Sequence, residues 1–321
     1  MITRTCFAAV LTLGTLSCGG SGQTTQIEGA TMPTEAVAPA PPPVAPPSPP
    51  ARPGLATFSV PRVLHHLAAD RSIVFHADME LAKQSPSFPI LEHFLLNEYS
   101  QEMTTIETKC GFSPLQVWTT LTLAWKESAD NDGILIAMTG DVSEAQIGTC
   151  FAALGKPEDE AKLKTTYWPD GNMMLYEKGS DTETLRREVD QGSLMDNPDF
   201  ATKLSELRDP YASIWAIGVL PDSMKSAAGM VGMGVVAPTS FSLQVNLERG
   251  LDSTIVLQFD SVSDASVTKQ AINQFLLMAS SMAPPVYQSL IKAIQIDTQD
   301  TIITLSLQLS QIDVEDLLKT L

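Results

Sequence analysis

The sequence predicts an α+β fold: an internally duplicated unit whose mostly antiparallel, curled sheet carries helices on one face. Three observations predict it. Short segments alternate polar and apolar residues with the period of two that a half-buried strand shows. These segments recur in the same order in two halves of the chain, which is the mark of an internal repeat. Each pair of strands then runs into a Ser- or Asp-led helix start.

The elements follow in order. TLTLA at 120–124 and SFSLQ at 240–244 both alternate. Each is followed by a polar or Gly-bearing turn and a second strand, GILIA at 133–137 and STIVL at 253–257. Helix starts come next, VSEA at 142–145 and VSDA at 262–265, so three matches align without a gap. Upstream, SIVFHAD at 72–78 matches SIWAIGV at 213–219 as a strand leading into a polar helix start. Downstream, residues 164–176 read as a hairpin about Pro169-Asp170-Gly171, and 293–307 as its counterpart about Gln299-Asp300. Capping boxes are expected at Ser180-x-x-Glu183 and Ser310-x-x-Asp313, the second opening a helix with the stripe Val314, Leu317, Leu318, Leu321. Each unit therefore reads strand, helix, hairpin, helix, hairpin, helix. In residues 240–247 the apolar set is Phe241, Leu243, Val245 and Leu247, so one face is packed and the other wet. Two units give about ten strands, near the upper end for an open sheet, and they should share one sheet to avoid exposed edges.

Composition narrows the function classes. The chain has 321 residues with 20 Lys+Arg, 37 Asp+Glu and a formal net charge of −17. A nucleic-acid binder neutralises phosphates with a basic surface, so this balance argues against one. No apolar run is long enough for a multi-span membrane protein. A hydrophobic share of 44% is enough for a packed core.

The first residues carry an address. Arg4 gives a short positive region and residues 6–16 an uncharged, mostly apolar run, as in a secretory signal peptide. TLSC at 15–18 then resembles the lipobox of bacterial lipoproteins. That resemblance implies cleavage after residue 17, a diacylglycerol on Cys18, and anchoring to a membrane. Thr15 stands where an aliphatic residue is usual, and Leu16 is bulkier than usual. Gly19, rather than Asp, follows the Cys, which by the same resemblance implies the outer membrane, facing the periplasm or the cell surface. The alternative is cleavage near Gly22 and an untethered exported protein. Residues 33–53 are dominated by Pro, Ala and Val, and proline excludes both helix and ladder. At ~3.1 Å per residue, such an extended linker holds a domain well clear of a membrane. The organisation is thus signal peptide at 1–17, tether at 18–57, unit one at 58–190 and unit two at 191–321. The rest of the chain resembles exported lipoproteins of Gram-negative bacteria, a resemblance that implies no activity.

Two cysteines remain in the exported part. Cys110 ends a helix that begins near Ser85-Pro86, with Gly111 past its end. Cys150 lies on the next helix, in the inward stripe Ile147, Cys150, Phe151, Leu154. Both helices cover one sheet face, so a Cys110–Cys150 disulfide is expected in an oxidising compartment. The second unit has Gln270 at the position of Cys150, so the bridge belongs to the first alone.

The remaining chemistry is sparse. His65, His66, Asp70, His76 and Asp78 are potential zinc ligands, yet their spacing fits no defensible motif, and His76 aligns with the apolar Ile217. Asp130-Asn131-Asp132-Gly133 looks like the start of a calcium loop, but Ser128 and Thr139 stand where acids are required. It reads instead as a polar turn. Neither a nucleophile elbow nor a phosphate-binding loop occurs, so no catalytic residue, metal or cofactor is expected, and the chain is not expected to be an enzyme. The uncharged run at 227–237 supplies Met230, Val231, Met233 and Val235 as apolar contact residues, for Met suits adaptable surfaces. Small residues there equally let a helix lie close on a sheet. The expected role is binding or scaffolding at a membrane, by an exported, lipid-anchored protein whose protein or apolar small-molecule partner the sequence leaves open. Carriage of a lipid between sheet and helices is the alternative, and an enzyme of unknown class the second.

Overall fold

The computed structural model describes residues 60–318, apart from 87, 90–91, 94–98, 127–132, 156–164, 178, 208, 210–211, 221–235 and 249. All lie in the unit Gly54–Leu321. The ten strands among the described residues are β1 (Ile73–Asp78), β2 (Trp118–Trp125), β3 (Ile134–Gly140), β4 (Thr166–Asp170), β5 (Met173–Glu177), β6 (Ile214–Val219), β7 (Ser240–Asn246), β8 (Gly250–Gln258), β9 (Gln295–Gln299) and β10 (Ile302–Ser310). They form one sheet in the order β4-β5-β3-β2-β1-β6-β7-β8-β10-β9. Every neighbouring pair is antiparallel. The sheet is not closed.

This order contains the duplication. Read outward from the β1–β6 seam, the first half runs β1-β2-β3-β5-β4 and the second β6-β7-β8-β10-β9. Each strand is thus replaced by the one five later. Register follows the same rule. Ile73 pairs with Trp125 in the first half and Ile214 with Val245 in the second. Those two displacements, 141 and 120 residues, are the ones that align Ser72 with Ser213 and Thr120 with Ser240. Two irregularities in the first half break the match, a register shift between Trp118 and Thr120 where β2 meets β3 and another between Tyr167 and Asp170 where β4 meets β5. A bulge of this kind slips every later pair by one residue.

The described helices are α1 (Met79–Lys83), α2 (Ser100–Cys110), α3 (Pro114–Val117), α4 (Glu144–Leu154), α5 (Thr182–Asp190), α6 (Pro198–Ser205), α7 (Val262–Met282), α8 (Pro285–Ala293) and α9 (Gln311–Leu318). Hairpin β4–β5 and hairpin β9–β10 stand where the turns at 169–171 and 299–300 place them. Local caps follow the sequence in part. Ser143 and Gln146 close a full capping box on α4. Ser310 and Asp313 do the same for α9. At α5, however, Asp181 is the N-cap, because the Ser180 hydroxyl is drawn to the Glu177 carboxylate. The helix ending at Cys110 starts at Ser100, while Ser85 sits in the turn after α1, its hydroxyl donating to the Leu247 carbonyl. Gly111 takes φ +76, the left-handed cap that favours glycine.

Side-chain alternation gives the sheet two unlike faces. One is apolar on nine strands in succession: Tyr176, Ile136, Leu123, Phe75, Ala216, Leu243, Ile255, Leu305 and Ile296 form one cross-strand row. The opposite row reads Leu175, Ala137, Thr122, His76, Trp215, then Gln244, Thr254, Ser306, Gln295. That face changes character at the middle of the sheet. Its first half is sealed by Val63, Leu64 and Leu67 near a 3₁₀ turn (Arg62–His66), by Leu185 of α5, and by Phe200 and Leu204 of α6. Trp215 and Ile217 extend this core under the seam. On this face the first unit is therefore sealed, whereas the second leaves it polar. This explains why β1, β3 and β6 are more continuously apolar than the alternating β7, β8 and β10.

Candidate functional site

Among the described residues, the apolar face of the sheet offers a candidate surface for binding. Helices cover its margins. Val142 and Ile147 pack with Met174 and, among others, Met138 and Phe151 at one end. Ala82 of α1 and Phe88 pack on Leu247, Val245 and Leu251. Ala265 of α7 packs on Leu257, Ile303, Leu305 and Ile296 at the other end. Between these clusters the row stays only half-buried at Ile136, Leu123, Phe75, Leu243 and Ile255, whereas Ala216 is buried. Gly218 keeps the seam low, because a Cβ there would run into the Phe241 ring. Each partly exposed Leu, Ile or Phe leaves apolar area in contact with water, at roughly 25 cal/mol per Å².

The disulfide is as expected. Cys110 and Cys150 are bonded, with Cα atoms 4.5 Å apart. The bond pins α2 to α4, and Lys109 adds a hydrogen bond to the Leu154 carbonyl at the end of α4. Ile147 and Cys150 are buried, with Phe151 packed beside them. Gln270, at the matching position of the second unit, is exposed.

The histidines and acids near the start of the fold do not converge. His65 and Asp70 are exposed. His66 lies 3.5 Å from Asp170, which also pairs with Arg62 at 2.8 Å. Burial lowers the His66 pKa against the pull of Asp170, and Arg62 and His65 push the same way as burial. Asp78 caps α1 by accepting from the Leu81 N–H. His76 is 3% exposed, stacked on Trp215 with ring centroids 5.1 Å apart, its Nδ1 2.8 Å from the Thr122 hydroxyl. Burial pushes its pKa down to about 4, so it is neutral near pH 7. Among the described residues no group of three or more His, Cys, Asp or Glu is placed to hold a metal ion. Residues 130–132 and the apolar contact residues Met230, Val231, Met233 and Val235 lie outside the described residues, as does Cys18. Just beyond the Met/Gly run, the backbone N–H of Val236 donates to the Thr268 hydroxyl on α7, which donates to the Val236 carbonyl in return.

One polar cluster escaped sequence reasoning. Arg71 is fully buried and bidentate to Glu177, at 2.9 and 3.1 Å, and it also reaches Glu188 at 3.0 Å and the Gly133 carbonyl at 3.2 Å. Lys126 pairs with Glu188 at 2.6 Å. Two cations thus meet two carboxylates inside, and the exposed Asp70 carboxylate lies 3.9 Å from Arg71 Nε at the margin. Burial by itself would raise the Glu177 pKa. The hydrogen bonds and charge of Arg71, with Lys126 and the Ser180 hydroxyl, outweigh it and hold the carboxyl below its ordinary value. The four charges come from positions 71, 126, 177 and 188, so no local motif could announce them. Two further hollows are open and small. One of about 390 Å³ lies beside Gly140, Asp141, Ser143 and Asn172, the other of about 300 Å³ beside Ser289, Leu290, Gln308 and Asp313. Neither brings together an acid, a base and a nucleophile.

No protein-family model and no curated protein matches the chain. Among solved structures it is similar to TP0453, a Treponema lipoprotein, in crystal form III, with a TM-score of 0.43 and 9% identity over 80% of this chain and 98% of that one. Crystal form I of the same protein gives a TM-score of 0.41 and 10% identity over 82% of this chain and 98% of that one.

Proposed function

We propose that this chain is an exported lipoprotein, anchored to a membrane through Cys18, that works by binding rather than by catalysis. The Cys110–Cys150 bond carries the export half of this reading, because structural disulfides persist in oxidising compartments. The signal-like first residues and Ser17-Cys18 supply the address. Binding is favoured over catalysis by how the described core spends its ionisable groups. His76 is neutral and stacked, and Arg71, Lys126, Glu177 and Glu188 neutralise one another. The half-buried row from Ile136 to Ile255 favours a second reading, in which an apolar ligand lies on the sheet face.

Palmitate labelling in the native host tests the anchor. The wild-type chain should incorporate label and stay with membranes through a carbonate wash. Cys18→Ser should incorporate none and should be released by that wash. A Cys18→Ser chain that still carries label, or an unlabelled wild type, would overturn the anchor.

A further inference from the structure

α7 is the longest described helix, and its outward face is anomalous. It runs 21 residues, about 30 Å at 1.5 Å per residue. Val262, Val267, Leu277, Met278 and Met282 point outward, with Leu277 73% and Met282 67% exposed. The other exposed positions, Ser263, Ser266, Gln270, Asn273, Gln274 and Ser281, carry no charge. Surface helices in water present charged residues outward, and a helix apolar on both sides is normally buried on both. On its inner side α7 packs Ala265 on the sheet and bonds Thr268 to Val236, with Phe275 and Leu276 half-buried.

The charge pattern names the second phase. Between Asp264, in the first turn of α7, and Asp297, in β9, the only charged residues are Lys269 and Lys292. With 37 acids in 321 residues, a stretch of that length would hold about four. This segment is net +2 in a chain of −17. An outward face that mixes apolar side chains with uncharged Ser, Asn and Gln, in a segment whose only charges are Lys269 and Lys292, suits a surface of anionic lipid, where apolar side chains enter the acyl boundary and lysines meet the headgroups.

We propose that the outward face of α7, with Leu277, Met278 and Met282 at its C-terminal end, is a lipid-binding surface that lies in the interface of an anionic membrane. The proposal rests on the membrane reading above, since a lipid at Cys18 would keep the chain at a membrane, within reach of the linker. It adds a second contact, independent of the lipid.

The test uses the mature chain from position 18 carrying Cys18→Ser, so that no lipid is attached. It is floated with vesicles of phosphatidylcholine alone, or of phosphatidylcholine with phosphatidylglycerol. The chain should float with the anionic vesicles. The triple substitution Leu277→Ser, Met278→Ser, Met282→Ser should lower the bound fraction about tenfold, through lost apolar burial. Lys269→Glu with Lys292→Glu should weaken flotation on anionic vesicles and leave pure phosphatidylcholine little changed. Because the serine substitutions are at exposed positions, circular dichroism and the melting temperature should stay at wild-type values. A wild-type chain that does not float, or a triple variant that floats as well as wild type, overturns the proposal. So does a concentration-dependent dimer, without flotation, that the triple variant abolishes, because the face would then belong to a second copy. Palmitate labelling reads the anchor separately, so either idea falls alone.

Discussion

At His76 a titratable ring occupies a place that the second unit gives to Ile217. It is held by a stack on Trp215 and a hydrogen bond with Thr122, so its burial leaves no polar atom idle on that side. Its folded-state pKa of about 4 lies below the unfolded value of 6.5. The unfolded chain therefore binds a proton first as pH falls. Stability from this group is full above pH 6.5 and is lost on the way to pH 4, by on the order of 3 kcal/mol. Urea unfolding between pH 7 and 5 should show the decline, and His76→Gln should flatten it while keeping a partner for Thr122. A variant as steep as wild type would show that His76 is not the group that titrates. Glu177 adds a loss in the same direction at lower pH, because its folded-state pKa is also depressed. Arg71 and Glu177 carry a further lesson. Once buried, neither can be removed alone without stranding the other, which typically costs about 3–5 kcal/mol.

α2 has no fully buried residue, so little apolar burial holds it. Its main restraints are the disulfide to α4 and the Lys109 hydrogen bond. The bond closes a loop of 40 residues, which in the chain-entropy account stabilises by about 2–4 kcal/mol. A Cys110→Ser, Cys150→Ser double variant should lose that much unfolding free energy, read as a lower denaturant midpoint. Amide exchange should rise most in α2 and α4, and much less in β7, β8 and β10. Uniform loss of protection across both units would show instead that the bond supports the whole sheet. The opposite economy holds at α7, which keeps 21 residues in place with only Ala265 and Thr268 fully buried.

In the whole molecule, two units that share topology differ in what covers them. The first is sealed by Leu64, Leu185 and Phe200 on the face where the second carries Gln244, Thr254, Ser306 and Gln295. Joining at β1–β6 removes an edge from each and leaves β4 and β9 as the sheet's ends. The joint also makes one apolar row longer than either unit could build. If that row holds an apolar ligand, native mass spectrometry of the purified chain should show a bound lipid-sized mass. Leu243→Asp, in mid-row, should abolish it, with Gln244→Glu on the other face as control. A bare protein mass in gentle conditions would count against the carrier reading.

The sequence by itself determined the strands, their order within each unit and the pairing of Cys110 with Cys150. These rest on short-range facts: alternation fixes which side of a strand is apolar, glycine after Cys110 ends a helix, and the two helices must cover the same face. Equal spacing in the two halves even carried the register of β1–β2 over to β6–β7. Tertiary structure alone decided the rest. The seam between β1 and β6 joins strands whose own sequences do not name each other as partners. The sealed face of unit one needs residues from positions 63 to 207, and the Arg71 cluster draws on four separate segments. Such contacts are set by which surfaces the completed sheet brings within reach. The outward face of α7 belongs here too, since apolar residues lie on both sides of this helix and only the fold shows which side is already used.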